Sequence, residues 1–403
     1  MKTSGDILIT LFCLTILSAA AGEVHGRTDP ATNRVRCMMI GETKAEHQTA
    51  TAIMIADPKI DLTLIPAGDV ADVKTSKKFV RIYMPRTKDQ LTEQYDVIEL
   101  FDFVPYVLET QHIHWMRDAV MQNGVGLALV EMGWYGVTDW TGNDAAAWMA
   151  SVIYEAYPCD LVIGKQNVDS VYMDIKQRTP LVDLPDFEKT SMTTVAHHGI
   201  QIARPGSVVH TVWRTGKEDA IVSGTYGLGA TLMIPMGWDN VPSATRVNWF
   251  YFVDFVLNHA YFVAQVRIPE DLQMIHRLRE SFVRYYDERA MADSLLEFVD
   301  KFGANTRPVE TMLLGLEKEK KEAEYLYLRD EYERASDAME GVLDGFRRIS
   351  EEAVKIRERA LLWVYITEYL AVTGTSILAG SLVWTLMVRR RLYREVSVTR
   401  AHY

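Results

Sequence analysis

Residues 369–388 carry no charged side chain, and Arg389, Arg390 and Arg391 close the run, with Arg394 just beyond. An α-helix rises about 1.5 Å per residue, so a run of that length crosses a hydrocarbon layer of roughly 30 Å. Trp363, Tyr365 and Tyr369 gather at its amino-terminal edge, where interfacial aromatics sit. A buried core helix is the competing reading, but such a helix is seldom closed by an arginine triplet. The expectation is a transmembrane helix over residues 361–388, with 389–403 as a cytoplasmic tail by the positive-inside rule. The bilayer is then the first partner of a single-pass chain in the cell membrane. Everything amino-terminal to the span faces outward.

The other end fits that topology. Lys2 precedes an apolar stretch over 7–21, and Ala19-Ala20-Ala21-Gly22 offers small residues for cleavage, so 1–21 reads as a secretory signal peptide. Asp6 beside the stretch leaves an uncleaved anchor as the second reading. The net charge of −11 is spread without long like-charge blocks, which argues against nucleic acid as a partner. Cys13, Cys37 and Cys159 show no C-x-x-C spacing, so neither a disulfide scaffold nor a zinc site is indicated. A Cys37–Cys159 bridge stays open, with two buried free thiols as the preferred reading.

Between the two ends, short apolar runs alternate with helical stretches, the sequence form of a parallel sheet with crossover helices. Strands are expected at 35–40, 61–65, 95–101, 125–130 and 159–163, with helices reaching Met54 and spanning 112–121 and 145–157. The stretch G-V-G-L-A-L-V-E-M-G-W-Y-G at 124–136 is a buried strand ending in a sharp glycine turn, the geometry that delivers side chains to a strand-end crevice. Past Gly164 the pattern suggests antiparallel strands at 208–213, 220–224 and 230–235, extending the sheet edge. Residues 248–262, N-W-F-Y-F-V-D-F-V-L-N-H-A-Y-F, are apolar nearly all round and read as a buried closing helix.

The run Y-D-V-I-E-L-F-D at 95–102, a helix, then G-V-G-L-A-L-V-E-M-G-W resembles the class I glutamine amidotransferase-like fold. More narrowly it is similar to the putative glutamine amidotransferase domains related to trehalose-utilisation proteins. Arg204-Pro205-Gly206, Tyr226-Gly227-Leu228-Gly229 and Met236-Gly237-Trp238-Asp239 follow in the same order. The resemblance implies a flavodoxin-like α/β domain over about 27–265. It also implies a Cys nucleophile at the elbow and a His-x-Glu pair near the domain's end. Met132 stands where that Cys would be, and Trp238-Asp239-Asn240 occupies the region of the pair. Cys37 and Cys159 fall at strand starts or interiors, too deep to substitute. Glutamine hydrolysis is not expected, and the domain reads as a pseudoenzyme.

The groups left for a crevice are Glu42, Asp102, Glu131, Met132, Trp134, Tyr135, Trp238 and Asp239, all just after expected strands. Such carboxylates could hold a divalent cation or a hydroxyl-rich ligand, with aromatics stacking on a sugar face. Equally, the aromatics could cover the open sheet end while the carboxylates cap helices. His112 and His114 fall on different helix faces and His197-His198 reads as a loop, so no metal or cofactor is assigned. The function expected is ligand or protein binding and assembly at the cell surface. The alternative is a hydrolase using Asp102, Glu131 and Asp239 on a glycan or other polyol.

A helical stalk is expected over 269–360. Pro269 opens one helix, Gly303 stops it and Pro308 restarts it. From Tyr325 an apolar seam steps by three and four through Leu328, Tyr332, Ala335, Met339, Val342, Phe346, Ile349, Ala353, Ile356, Ala360 and Trp363, a heptad pattern. A coiled-coil hairpin of two helices would cover the second helix only to about Val342. The rest of the 325–363 seam then calls for a homo-oligomer or a membrane partner.

Overall fold

The aliphatic runs pair side by side in the computed structural model, which describes residues 26–41, 49–67, 71–130, 145–166, 172–190, 199–236, 249–301 and 305–399. Val35–Gly41 (β1) leads into Thr49–Ala56 (α1) and Ile60–Pro66 (β2). Val73–Tyr83 (α2) and Lys88–Gln94 (α3) precede Val97–Phe101 (β3); Thr110–Asn123 (α4) precedes Gly126–Val130 (β4). Ala145–Met149 (α5) precedes Cys159–Gln166 (β5), Met173–Ile175 (β6), Gly199–Ala203 (β7), Val208–Val209 (β8) and Thr211–Trp213 (β9). Val222–Tyr226 (β10) and Gly229–Ile234 (β11) complete the strands.

The main sheet runs β2-β1-β3-β4-β11-β10-β8, and every pair from β2 through β11 is parallel. Strands β3, β4 and β11 are buried along their whole length, as strands covered on both faces must be. One face packs Cys37, Met39, Phe101, Val130 and Ile234 against α1 and Phe252–Val263 (α6). The other packs Met38, Ile40, Leu100 and Leu129 against Val80 of α2 and Met116 and Val120 of α4. The chain is thus a mixed α/β domain with a largely parallel sheet, as expected.

Two expectations about the sheet change. Strand β11 is not an antiparallel edge strand: it lies parallel beside β4, and only β10 and β8 continue antiparallel from it. Strand β5 leaves the main sheet and pairs antiparallel with β7. The 145–157 helix shortens to α5 followed by a 3-10 turn at Val152–Ala156. Cys37 and Cys159 are free and buried.

Gly41 closes β1 at φ +137°, and an added Cβ would meet the Phe101 carbonyl oxygen at 1.6 Å. Both the dihedral and the contact exclude a side chain. Gly41→Ala is expected to destabilise the domain by on the order of 3 kcal/mol, read as a lowered urea midpoint with unchanged slope.

The helices after the sheet are three rather than two: Leu272–Asp300 (α7), Arg307–Leu328 (α8) and Tyr332–Thr399 (α9). The seam's unbroken step hid a corner between α8 and α9, where Asp330 takes φ +60° and Glu331 N–H donates to Leu326 O at 3.0 Å. Two compact units result: the α/β domain with residues 322–337, and a helical unit of Arg284–Lys321 with Ala338–Tyr403.

Within the helical unit, Tyr285 of α7 meets Phe346 of α9 edge-on, ring centroids 5.4 Å apart. Lys320 of α8 lies over the Tyr285 and Tyr286 rings at 5.0 and 4.8 Å. Met339, Val342, Phe346, Ile349, Ala353, Ile356 and Ala360 are all buried, together with Ala292, Val309, Leu313 and Leu316. The two-helix hairpin is therefore corrected to three helices. Within the helical unit the seam is buried as far as Ala360. Cysteines placed singly at Ile349 and Ile356 are expected to crosslink chains no better than one at exposed Glu351 when native membranes are oxidised. Efficient dimers at the first two positions alone would reverse this.

Helix α9 continues unbroken through the charge-free run. Among the described residues it is the one helix long and apolar enough to cross a membrane. Its large side chains there, from Leu362 and Trp363 to Met387 and Val388, are exposed.

Candidate functional site

Gly41, Phe101 and Val130 end three adjacent strands in register, so β1, β3 and β4 finish at one level. Asp102 follows Phe101 at φ +36° and is buried, its N–H donating to Val130 O at 3.3 Å. A non-glycine residue at positive φ is uncommon, and Asp is among the few that tolerate it. The next residues are pinned by α5: Trp148 Nε1 donates to Phe103 O at 2.8 Å, and the two rings meet edge-on. Of the strand-end candidates, Asp102 alone falls within the described residues. Glu42, Glu131, Met132, Trp134, Tyr135, Trp238 and Asp239 lie outside them, as do His197 and His198. Among the described residues no group of three His, Cys, Asp or Glu side chains is arranged for a metal ion.

Among the described residues, neither thiol offers a nucleophile. Burial pushes the Cys37 thiol well up, and the charges of Glu99 and Asp96 add to this. Burial raises Cys159 as well. A thiol held protonated in an apolar setting is inert.

What the sequence reading missed is a polar cluster inside the apolar core. Asp254, Asn258 and Tyr261 project from α6, and His276 and Arg279 from α7; all are buried. Arg279 Nη1 donates to Asp254 Oδ1 at 2.8 Å and to Asn258 Oδ1 at 2.9 Å, while His276 Nδ1 lies 2.6 Å from Asp254 Oδ2. The Arg279 guanidinium also faces the Tyr261 ring at 5.1 Å. Tyr261 and Tyr327 donate to the two oxygens of Asp57 at 3.1 and 3.0 Å, and the Lys59 N–H donates to Asp57 Oδ1 at 2.8 Å. Burial pushes the Asp57 carboxyl up, opposed by Arg279 and these hydrogen bonds.

Beside this cluster, Lys59 Nζ pairs with Asp330 at 2.7 Å and Asn33 Nδ2 donates to Leu328 O at 2.7 Å. These bonds hold the α8–α9 corner on the sheet domain. They border a cleft of about 400 Å³ whose charged walls include Lys59, Asp330, Arg267 and Glu270, already paired with one another. A signal for the cluster was present: Asp254 and Asn258 stand four apart in a largely apolar helix, and buried carboxylates require partners.

A second buried pair joins the central strand to α6. His259 Nε2 lies 2.9 Å from Glu99 Oε2, both side chains fully buried, and His259 Nδ1 donates to Val256 O. Both the pair and the cluster are closed off from solvent, so they bind the fold together rather than meet a ligand.

No protein-family model matches the chain, and no curated relative matches it by sequence. Solved structures similar to it include two cytoplasmic proteins of Salmonella typhimurium, STM3548 and, from strain LT2, STM1381. They are 17% and 15% identical, each covering 57% of this chain and 99% of its own, both at a TM-score of 0.43. An exo-beta-1,4-mannosidase from Opitutaceae bacterium strain TAV5 is 8% identical over 57% of this chain and 36% of its own, at a TM-score of 0.32. These likenesses assign neither a family nor an activity.

Proposed function

We propose that the protein is a membrane-anchored domain of class I amidotransferase-like, flavodoxin-like fold. It faces outward and acts by binding or assembly rather than by glutamine hydrolysis. The fold reading is supported by the parallel order β2-β1-β3-β4-β11, the doubly wound order in which a ligand crevice opens beside the first strand. Inert thiols, and Met132 where the nucleophile would stand, support the absence of hydrolysis.

The observation that carries the anchor is α9 itself. Its apolar side chains over the charge-free run are exposed, and four hydroxyls of the helix bond back to its own backbone. Thr367, Thr375, Ser376 and Thr385 donate to the carbonyls of Trp363, Ala371, Val372 and Ser381 at 2.8 to 2.9 Å. A helix that bonds its backbone groups, and hydroxyls such as these, internally can face lipid. Arg389, Arg390 and Arg391 then mark the cytoplasmic end.

Protease added to intact cells is expected to digest the sheet domain and spare an epitope on the carboxyl-terminal tail, and alkaline carbonate is expected to leave the chain in the membrane. Protection of the domain would overturn the orientation, and release by carbonate would overturn the anchor. Ammonia release from glutamine by the purified chain would overturn the binding role.

A further inference from the structure

The burial of the α9 seam stops abruptly: Ala360 is 7% exposed, while Leu362 and Trp363 are 57% and 69% exposed. The reason is the length of its neighbours. Tyr285 stands level with Phe346, and Gly345 lies against Leu316. At roughly 1.5 Å per residue, about 20 Å of helix leads both from Phe346 to Ala360 and from Tyr285 to Asp300, and about 15 Å leads from Leu316 back to Arg307. Asp300 and Lys301 therefore lie level with Ala360, just before the 361–388 stretch read as the span, and Arg307 lies about 9 Å of helix short of that level.

Resting on the reading that residues 361–388 cross the bilayer, we propose that this end of the helical unit is a foot seated in the lipid headgroup layer. Phe298, 42% exposed near the end of α7, enters the interface, with Lys301 exposed beside it. Helix α9 has no break between Tyr332 and Thr399, so no spacer lifts the unit off the membrane. Trp363, Tyr365 and Tyr369 on the same helix are exposed at the level where aromatic belts sit. Lys301 pairs with Glu297 at 3.0 Å, so the foot recognises the amphipathic interface itself rather than anionic lipid.

The test uses the full chain, with Cys13, Cys37 and Cys159 replaced by alanine, reconstituted in phosphatidylcholine vesicles. Single cysteines carrying an environment-sensitive fluorophore are introduced as Phe298→Cys, Lys301→Cys, Lys321→Cys and Leu378→Cys. Lys321 is exposed and about 20 Å up α8 from Arg307. Headgroup nitroxide is expected to quench the labels at 298 and 301 and leave that at 321 bright; acyl-chain nitroxide is expected to quench the label at 378. Adding anionic lipid is expected to change none of these. A bright label at 378 would overturn the transmembrane reading. Quenching at 378 with 298 and 301 as bright as 321 would overturn the foot alone. Shielding at 298 that grows with protein density would mean a second copy covers it, and would also overturn the foot.

Discussion

Arg279→Met is expected to destabilise the sheet domain by about 3–5 kcal/mol, the usual cost of breaking a buried ion pair from one side. The guanidinium is fully buried between Asp254 and Asn258, and Asp57 lies within its field. Its removal leaves Asp254 with His276 as its remaining partner among the contacts described, and the Asp57 carboxyl without a facing cation. Against a total stability of roughly 5–15 kcal/mol, that is a large fraction. Pairing it with Asp254→Leu should recover part of the loss, since the uncompensated charge goes with its partner. Tyr327→Phe removes one hydrogen bond to Asp57 and should cost only about 1–2 kcal/mol. Urea denaturation of the solubilised chain, followed by tryptophan fluorescence, ranks the three. An Arg279→Met midpoint equal to that of the unmodified chain would mean the cluster does not hold α7 to α6.

The second large effect is acid sensitivity from His210. Its ring is buried, with Nδ1 2.8 Å from Thr179 Oγ1 and Nε2 2.7 Å from Ser223 Oγ. Either hydroxyl can donate or accept, so a neutral imidazole is fully satisfied in either tautomer. Burial pulls its pKa down from 6.5 to about 4. Between those values the unfolded chain binds a proton that the folded chain refuses. Stability is therefore present above pH 6.5 and falls as the pH drops through about 4. A shift of that size is worth roughly 3 kcal/mol. Asp57 acts in the opposite sense: its raised pKa makes the folded state the better proton binder above 3.8. His210→Gln should therefore be compared with the unmodified chain across pH 7 to 4, so that the carboxylate contribution cancels in the difference. Parallel stability curves would show that His210 takes up its proton in the folded state.

Periodicity alone located the strands around Val35–Gly41, Val97–Phe101 and Gly126–Val130, the buried helix Phe252–Val263 and the stretch of α9 long and apolar enough to cross a membrane. Each follows from which faces of a segment are apolar, and that is a local property. The neighbour each face meets is not local. The apolar run at Gly229–Ile234 suits a parallel or an antiparallel partner equally, and the packing of α4 and α6 over the sheet put it parallel to β4. The heptad seam demanded cover without naming what supplies it. The corner at Asp330 decided that, yet no glycine or proline announces it. Its positive φ is held from outside the helix, by Lys59 on the Asp330 carboxylate. The polar cluster is the same case: Asp254 in an apolar helix requires a cation, and only the folded chain brings Arg279 to it. What the sequence by itself determined is where side chains must leave water. What the tertiary structure decided is the partner each one leaves it for, because partners far apart in the chain meet only when the whole core closes.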